Sequence, residues 1–242
     1  MGTQLKQNTS GEDIFRTQTG FQLSKALLGL DRMLSTHLSG DIENVAPLVE
    51  MSDILMDSPA YELAVKYMKT RPEVASIIQE RYLPSSHNLD TLLQYPEDSL
   101  GYVYASTLKK TGYEPGFHPY VNIESDASYV EFRIRQTHDI WHIITGFDTS
   151  IAGEVGLDTF YIAQCHLPFS HIAVASFLIT ATIREPEKIN DLHQAIKLGW
   201  EMGVKAKPLL AQKWEEAWFK PVQNWRQTLD ILPVADESLS FI

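Results

Sequence analysis

Two histidines four residues apart, His138 and His142, constrain the fold of this chain more than any other feature. Residues at this spacing project from one face of an α-helix, about 40° apart around its axis and one turn apart along it. A single cation can then bridge both imidazoles. Asp139 flanks that face, where it can be a further ligand, a base or a partner that orients a ligand. The spacing therefore predicts a helix that carries part of a metal site.

A third candidate ligand, Glu154, follows His142 after eleven residues. Gly146 is suited to end the first helix, and residues 148–150 offer Asp, Thr and Ser as N-caps for a second one. Glu154 would then lie in about the first turn of that second helix. A helical hairpin would bring its carboxylate back towards the histidines, and we expect it to complete the site.

The ligand types narrow the chemistry of this site. The spacing is similar to the metalloprotease pattern His-Glu-x-x-His, but the shorter Asp139 occupies the position of the catalytic glutamate, which argues against a protease. Two imidazoles with one or two carboxylates favour a divalent metal such as Zn, Mn or non-haem Fe(II) over Ca or Mg. Ligand type does not select among these metals; our overall expectation is a divalent metal, Zn first, with Fe, Mn or Mg as alternatives. The competing interpretation is that both histidines only pack or cap within a helix.

The segment before the histidines has two competing patterns. Residues 130–135 alternate apolar and charged side chains, which is the period of a short strand. A helix that starts near Ser128 is preferred, because it places Glu131 and Arg135 on the same face as the histidines. Arg135 would then lie one turn from the metal. Its guanidinium could receive a substrate carboxylate or phosphate, or it could form a salt bridge with Glu131.

Pattern and length predict an all-α fold. Helical periodicity is interrupted by Pro and Gly, and 242 residues with 44% hydrophobic content suffice for one domain with a core. We expect a single helical bundle over residues 1–242, with flexible termini at 1–20 and 234–242. The predicted helices cover residues 21–34, 42–56, 60–69, 72–81, 100–109, about 128–146, a segment carrying Glu154, 167–183 and parts of 190–232. Residues 83–98 are expected to be turn-rich, and 111–126 to form a loop.

Composition excludes several classes of protein. A net charge of -11, without any basic run, argues against nucleic-acid binding, which needs clustered Lys and Arg. The single cysteine, Cys165, has apolar neighbours and is expected to be a buried thiol in reducing surroundings. The first twenty residues carry Glu12 and Asp13 and lack the pattern of a signal or transit peptide, so we expect a cytoplasmic protein.

Two apolar features admit more than one interpretation. The segment from Leu167 to Ile183 is too short and too polar for a membrane span, and is expected to be a core helix or to line a groove for a long apolar ligand. Tryptophans near the carboxyl end are expected to pack in the bundle rather than to anchor at a bilayer interface. They are Trp200, Trp214, Trp218 and Trp225.

The motif carries a resemblance to a known family. The chain resembles the ubiquinone-biosynthesis proteins of the Coq-four type, whose metal motif is His-Asp-x-x-His-x(11)-Glu. This sequence reproduces that motif in full at His138, Asp139, His142 and Glu154. Supporting matches are Arg133-Ile-Arg135-Gln-Thr before the motif, then Gly146, Gly153, Gln164 and Leu167-Pro168, with weaker similarity at 96–101 and 214–226.

The resemblance implies an all-α homodimer that associates peripherally with membranes and handles a prenylated quinone precursor or another isoprenoid lipid, beside other quinone-biosynthesis enzymes. Because no mitochondrial presequence is recognised, a bacterial member is expected. A eukaryotic member would lie on the matrix side of the mitochondrial inner membrane. Two roles are implied: a scaffold for the other enzymes, and oxidative removal of the ring carboxylate so that a hydroxyl replaces it.

Under the enzyme hypothesis, His138, His142 and Glu154 bind the metal, and Asp139 completes its coordination or orients a ligand. Arg135 would hold the anionic head group, and the helix from Leu167 would shelter the isoprenoid tail. Under the scaffold hypothesis, the metal only bridges the two helices.

A third interpretation takes the adjacent His138 and Asp139 as the core of a His-Asp phosphohydrolase, with His118 or His87 as the upstream ligand. That interpretation leaves His142 and Glu154 unexplained.

Overall fold

The computed structural model describes residues 23–41, 44–85, 87–112 and 121–234. The expected flexible termini, 1–20 and 234–242, lie outside these ranges except for Val234. The helices are α1 (Leu23–Ser39), α2 (Ala46–Met56), α3 (Pro59–Met68), α4 (Pro72–Glu80), α5 (Leu89–Leu92), α6 (Leu100–Thr111), α7 (Asp126–Thr145), α8 (Ile151–Cys165), α9 (Pro168–Arg184), α10 (Ile189–Lys205) and α11 (Val222–Thr228). Short 3₁₀ helices occupy Pro186–Lys188 and Trp214–Glu216.

The all-α prediction is confirmed. Within the described ranges no strand forms, and the nearest approach to one is an isolated bridge between Ser99 and Pro221. The ambiguous residues 130–135 are helical and belong to α7, as the spacing of the histidines requires. The turn-rich segment 83–98 contains the short helix α5, which the sequence did not predict. Asn88 begins it by accepting hydrogen bonds from the backbone of the first turn.

Helix α7 lies at the centre of the bundle and packs against helices from both ends of the chain. A capping box between Ser125 and Ser128 begins it. Buried Trp141 and Ile144 join the main core, and neither is exposed to solvent. Arg226 of α11 donates to the carbonyl oxygens of Ile143 and Ile144 at 2.8 and 3.0 Å, which satisfies acceptors at the carboxyl end of the helix.

Buried charges also fix the position of α7. Arg133, which is fully buried, makes a two-point ion pair with Glu215 at 2.5 and 2.9 Å. Glu131 accepts hydrogen bonds from Ser52 of α2 at 2.5 Å and from Tyr61 of α3 at 2.9 Å. Because a buried charge without a partner is costly, these contacts specify how α7 meets its neighbours.

Helices α8 and α10 approach closely because glycines face each other at their crossing. A Cβ atom on Gly199 would lie 2.1 Å from the carbonyl oxygen of Gly156. One turn further along α10, a Cβ atom on Gly203 would lie 2.7 Å from the Cβ of Ala163. Neither position can hold a side chain unless the helices separate. The close contact keeps α8, which carries Glu154, fixed against the bundle.

The apolar segment predicted at 167–183 forms α9. Its residues Ala173, Phe177 and Ala181 are buried, whereas Ile179 and Ile183 are 44% and 64% exposed, so one face of the helix packs in the core.

The expected packing of the tryptophans is confirmed for Trp214, Trp218 and Trp225, which are buried. Trp200 is 48% exposed and departs from that expectation. None of the described helices combines the length and the apolar character needed to cross a bilayer.

We predict that Gly199→Ala lowers the free energy of unfolding by about 2 to 3 kcal/mol, since the added methyl group meets backbone that cannot move alone. Urea denaturation followed by circular dichroism measures the change. Glu201→Ala, at an exposed position of the same helix, is the control and is expected to leave stability within about 0.5 kcal/mol of the wild type. Equal stability of both variants would show that α8 and α10 are not in close contact.

Candidate metal centre

The hairpin of α7 and α8 is built by its turn residues. Gly146 ends α7 with a φ of 83°, and its N–H donates to the carbonyl oxygen of His142 at 2.8 Å. A Cβ atom there would lie 2.8 Å from the carbonyl oxygen of Val234, so glycine is required by conformation and by space. Ser150 caps α8 by accepting from the N–H of Gly153 at 3.1 Å. The predicted roles of Gly146 and of the cap are confirmed.

The hairpin brings three side chains together. The Nε2 atoms of His138 and His142 are 3.0 Å apart. Oxygen atoms of Glu154 lie 3.3 Å from Nε2 of His142 and 3.7 Å from Nε2 of His138. Ligands at about 2.0–2.1 Å from a tetrahedral zinc ion are about 3.3 Å from one another. The donor atoms are therefore spaced as ligands of one divalent cation would be, and their chemistry suits such an ion.

Each imidazole has a polar contact at Nδ1, the ring nitrogen that faces away from the cluster. Nδ1 of His142 donates to the carbonyl oxygen of Phe147 at 2.9 Å, which leaves the lone pair of Nε2 for a cation. Nδ1 of His138 lies 3.4 Å from the hydroxyl oxygen of Tyr161, at the long end of a hydrogen bond. The side chain of His142 is 9% exposed, against 26% for His138 and 30% for Glu154, so solvent reaches the cluster mainly at His138 and Glu154.

The charges around the cluster perturb its titration. Burial lowers the pKa of His142, but the hydrogen bond and the charge of Glu154 outweigh that effect and raise its pKa above the ordinary value. The carboxylate of Asp139 raises the pKa of His142 further. Burial raises the pKa of Tyr104 on α6, and the charge of Asp139 adds to that rise. Asp139 thus lies near the cluster, although it is not one of the three converging ligands. Its role as a ligand or base stays a prediction.

Arg135 is held in a charge network one turn before His138. Its Nε donates to Glu131 at 2.7 Å, and its Nη2 donates to Asp53 of α2 at 2.5 Å. The guanidinium is 9% exposed, whereas the side chain of Asp53 is 51% exposed. The salt bridge that the sequence allowed is therefore present, with a second, outer carboxylate that no local pattern indicated.

The structure adds two residues that sequence analysis missed. Asp158 and Tyr161 follow Glu154 on α8 by four and seven residues, so all three share a helix face. That periodicity was the available signal. Asp158 accepts a hydrogen bond from Ser170 of α9 at 2.7 Å. Burial raises the pKa of Asp158 to about 8. The hydrogen bond from Ser170 opposes part of that rise, and the charge of the nearby Glu154 adds to it.

Other candidate residues lie elsewhere. His87 packs against Tyr104 and Trp218, with ring centroids 5.6 and 5.0 Å away, and is not part of the cluster. His118 lies outside the described residues. Cys165 is buried, which confirms the expected buried thiol. Burial raises the pKa of this thiol to about 12, which disfavours the nucleophilic thiolate.

The fold and the cluster define an all-α protein with two histidines and a glutamate converging on a helical hairpin. The family model of the coenzyme Q (ubiquinone) biosynthesis protein Coq4 matches residues 22–235. The chain therefore belongs to the Coq4 family, as the motif indicated.

Individual relatives agree with this membership. The chain is 27% identical over 177 residues to the mitochondrial ubiquinone biosynthesis protein COQ4 homolog of Aedes aegypti, covering 72% of this chain and 64% of the relative. It is 28% identical over 188 residues to the mitochondrial ubiquinone biosynthesis protein coq4 of Talaromyces marneffei, covering 76% of this chain and 60% of that relative. The chain thus spans less than two thirds of the length of these curated relatives. A crystal structure of a candidate ubiquinone biosynthesis protein from Nostoc punctiforme PCC 73102 superposes with a TM-score of 0.77 at 33% identity, covering 86% of this chain and 98% of the other.

We predict that Asp158→Asn flattens the pH dependence of stability. When folding raises the pKa of an acid, there is a range of pH between the two pKa values in which the folded protein keeps the proton and the unfolded chain has lost it. Stability therefore falls as the pH rises from the ordinary pKa of 3.8 to about 8. In chelator-treated protein, the wild type should lose more unfolding free energy than the variant between about pH 5 and about pH 8. Asp31→Asn, at an exposed position of α1, should keep the wild-type slope, and the same slope in all three proteins would contradict the prediction.

Proposed function

We propose that this protein acts in the biosynthesis of ubiquinone or a related prenylquinone, as a metal-dependent protein that oxidatively decarboxylates a prenylated hydroxybenzoate. The observation that carries the proposal is the convergence of His138, His142 and Glu154 within 4.8 Å of one another. Three protein ligands leave coordination positions open, as in catalytic rather than purely structural sites. A divalent cation bound there would act as a Lewis acid for the carboxylate and phenolic oxygens of the ring.

The chain's own residues supply binding and orientation. The hairpin fixes the positions of His142 and Glu154. The aromatic ring of the hydroxybenzoate would therefore be held against one side of α7. Asp139 would complete the coordination or accept a proton from the phenol. Arg135 pairs with Asp53 and Glu131, and Asp53 is the more exposed of these two carboxylates. Arg135 would bind the anionic head group of the substrate if that group replaced Asp53. Glu131, 4% exposed, would keep the guanidinium in place during the exchange.

Membership of the Coq4 family supports further proposals about the isoprenoid tail, the membrane and the partners of this chain. The isoprenoid tail would lie along the apolar helix α9 beside the hairpin, where Phe177 and Ala173 are buried and Ile179 is exposed. The names of the two relatives place them in mitochondria, and peripheral membrane association, a homodimer and contacts with other quinone-biosynthesis enzymes are proposed for this chain as well. The prediction of a bacterial member is untested.

A lipid-binding scaffold is the second candidate function. The observation that favours it is the solvent-inaccessible packing of the hairpin, with Trp141 and Ile144 on α7 and Leu157 on α8 fully buried. A cation joining α7 and α8 would stabilise that packing without taking part in a reaction. In that case the prenylated compound binds with the same affinity whether or not the metal can change its oxidation state.

We predict that the purified wild type carries about one divalent metal per chain and that His142→Ala and Glu154→Gln each lose most of it, because three ligands are the minimum of such a site. Elemental analysis by mass spectrometry measures the content. His193→Ala, at an exposed position of α10, should retain the wild-type content. Metal content below about a tenth per chain in the wild type, after supplementation with Zn, Mn and Fe, would overturn the metal site.

We predict that the metal-loaded wild type releases labelled carbon dioxide from a carboxyl-labelled prenylated hydroxybenzoate. In this reaction the bond from the ring to the carboxyl carbon breaks to release carbon dioxide, and a bond from the ring to an oxygen atom supplied by water forms. The two electrons and two protons that are released pass to dioxygen, which becomes hydrogen peroxide, so the assay contains dioxygen. Glu154→Gln should release less than a hundredth as much, because it loses most of the metal that would polarise the ring carboxylate. Tight binding of the substrate without release, with every metal tested, would contradict the enzyme and favour the scaffold.

A further inference from the structure

We propose that Tyr161 is the positioning residue of His138, and that its hydroxyl group keeps the Nε2 atom of this imidazole facing the metal. The inference rests on the proposed metal site and adds a residue that the ligand motif does not contain. Tyr161 lies on α8, seven residues after Glu154, on the same face of the helix. It therefore reaches across the hairpin to the ligand on the opposite helix.

The contact is between the hydroxyl oxygen of Tyr161 and Nδ1 of His138, at 3.4 Å. The two rings are nearly parallel, with an interplanar angle of 8° and centroids 6.3 Å apart. Nδ1 faces the phenol, so Nε2 on the other side of the ring faces His142 and Glu154. Rotation of the imidazole would break the contact with the phenol and remove Nε2 from the cluster.

Trp141 fixes the phenol in turn. Its indole stacks on the ring of Tyr161 with centroids 4.5 Å apart and an interplanar angle of 21°. Phe160 packs edge-on against the same indole at 5.7 Å. Tyr161 is 3% exposed and Trp141 is not exposed, so the phenol has little freedom. Because Trp141 lies between the two histidines on α7, the position of the phenol is tied to the helix that carries the ligands.

A phenol suits this ligand for a chemical reason. The carbonyl of Phe147 can only accept a hydrogen bond, so it holds His142 in the one tautomer with hydrogen on Nδ1. A hydroxyl group can both accept and donate. When Nε2 of His138 binds a cation, Nδ1 carries the hydrogen and donates it to the oxygen of Tyr161. When Nε2 carries the hydrogen, the hydroxyl of Tyr161 donates to Nδ1, and His138 keeps its orientation.

The variant that isolates this role is Tyr161→Phe, which keeps the ring stacked on Trp141 and removes only the hydroxyl group. We expect it to bind Zn²⁺ about 10- to 100-fold more weakly than the wild type, the usual effect of removing the partner of a ligating histidine. Isothermal titration calorimetry of chelator-treated protein with Zn²⁺ measures the affinity. Tyr129→Phe is the matched control: Tyr129 is buried like Tyr161, and its hydroxyl donates to the carbonyl oxygen of Tyr82 at 3.1 Å. It should retain the wild-type affinity.

A second readout separates positioning from packing. In the Zn-loaded wild type, the Nδ1–H proton of His138 should give a slowly exchanging, downfield NMR signal, and that signal should be lost in Tyr161→Phe but kept in Tyr129→Phe. Equal affinity in the wild type and Tyr161→Phe would overturn the role of Tyr161 and leave the metal site standing. A wild type that binds no Zn²⁺ would overturn the proposed site itself. Loss of affinity in both tyrosine variants would show a general loss of stability and would also overturn the inference.

Discussion

The tight connection between α7 and α8 positions the candidate metal ligands and part of the core. Gly146 turns the chain with a positive φ, and the backbone of Val234 packs where its side chain would be. The next residue, Phe147, uses its carbonyl oxygen to orient His142, and its ring occupies the space above Gly156, where a Cβ atom would lie 2.2 Å from it. One short turn thus closes the hairpin, fills the core and orients a ligand.

Charges buried along α7 specify its orientation in the bundle. Glu131, Arg133 and Arg135 are each 9% exposed or less, and each is paired with residues from other helices or from the segment around Glu215. Such pairs contribute little net stability, since desolvation offsets their attraction, but breaking one leaves a costly unpaired charge. They fix the rotation of α7 about its axis, and that rotation decides which face carries the histidines towards α8.

The local part of this arrangement could be predicted from sequence. Helix periodicity placed His138 and His142 on one face, and turn chemistry placed Glu154 opposite them, because both follow from residues close together in the chain. Contacts between distant segments could not be predicted. Asp53 reaches Arg135 from 82 residues away, and Ser170 reaches Asp158 from another helix. No local pattern encodes which helices become neighbours, so the second partner of Arg135 and the environment of Asp158 emerged only from packing.

In the proposed site, two imidazoles and one carboxylate bind a single cation. X-ray absorption at the metal K-edge of the zinc- or iron-loaded protein measures this coordination. We expect nitrogen and oxygen scatterers at about 2.0–2.1 Å, with the outer-shell signature of two imidazoles. A first shell of oxygen alone, or a spectrum without the outer-shell signature of imidazole, would contradict the site.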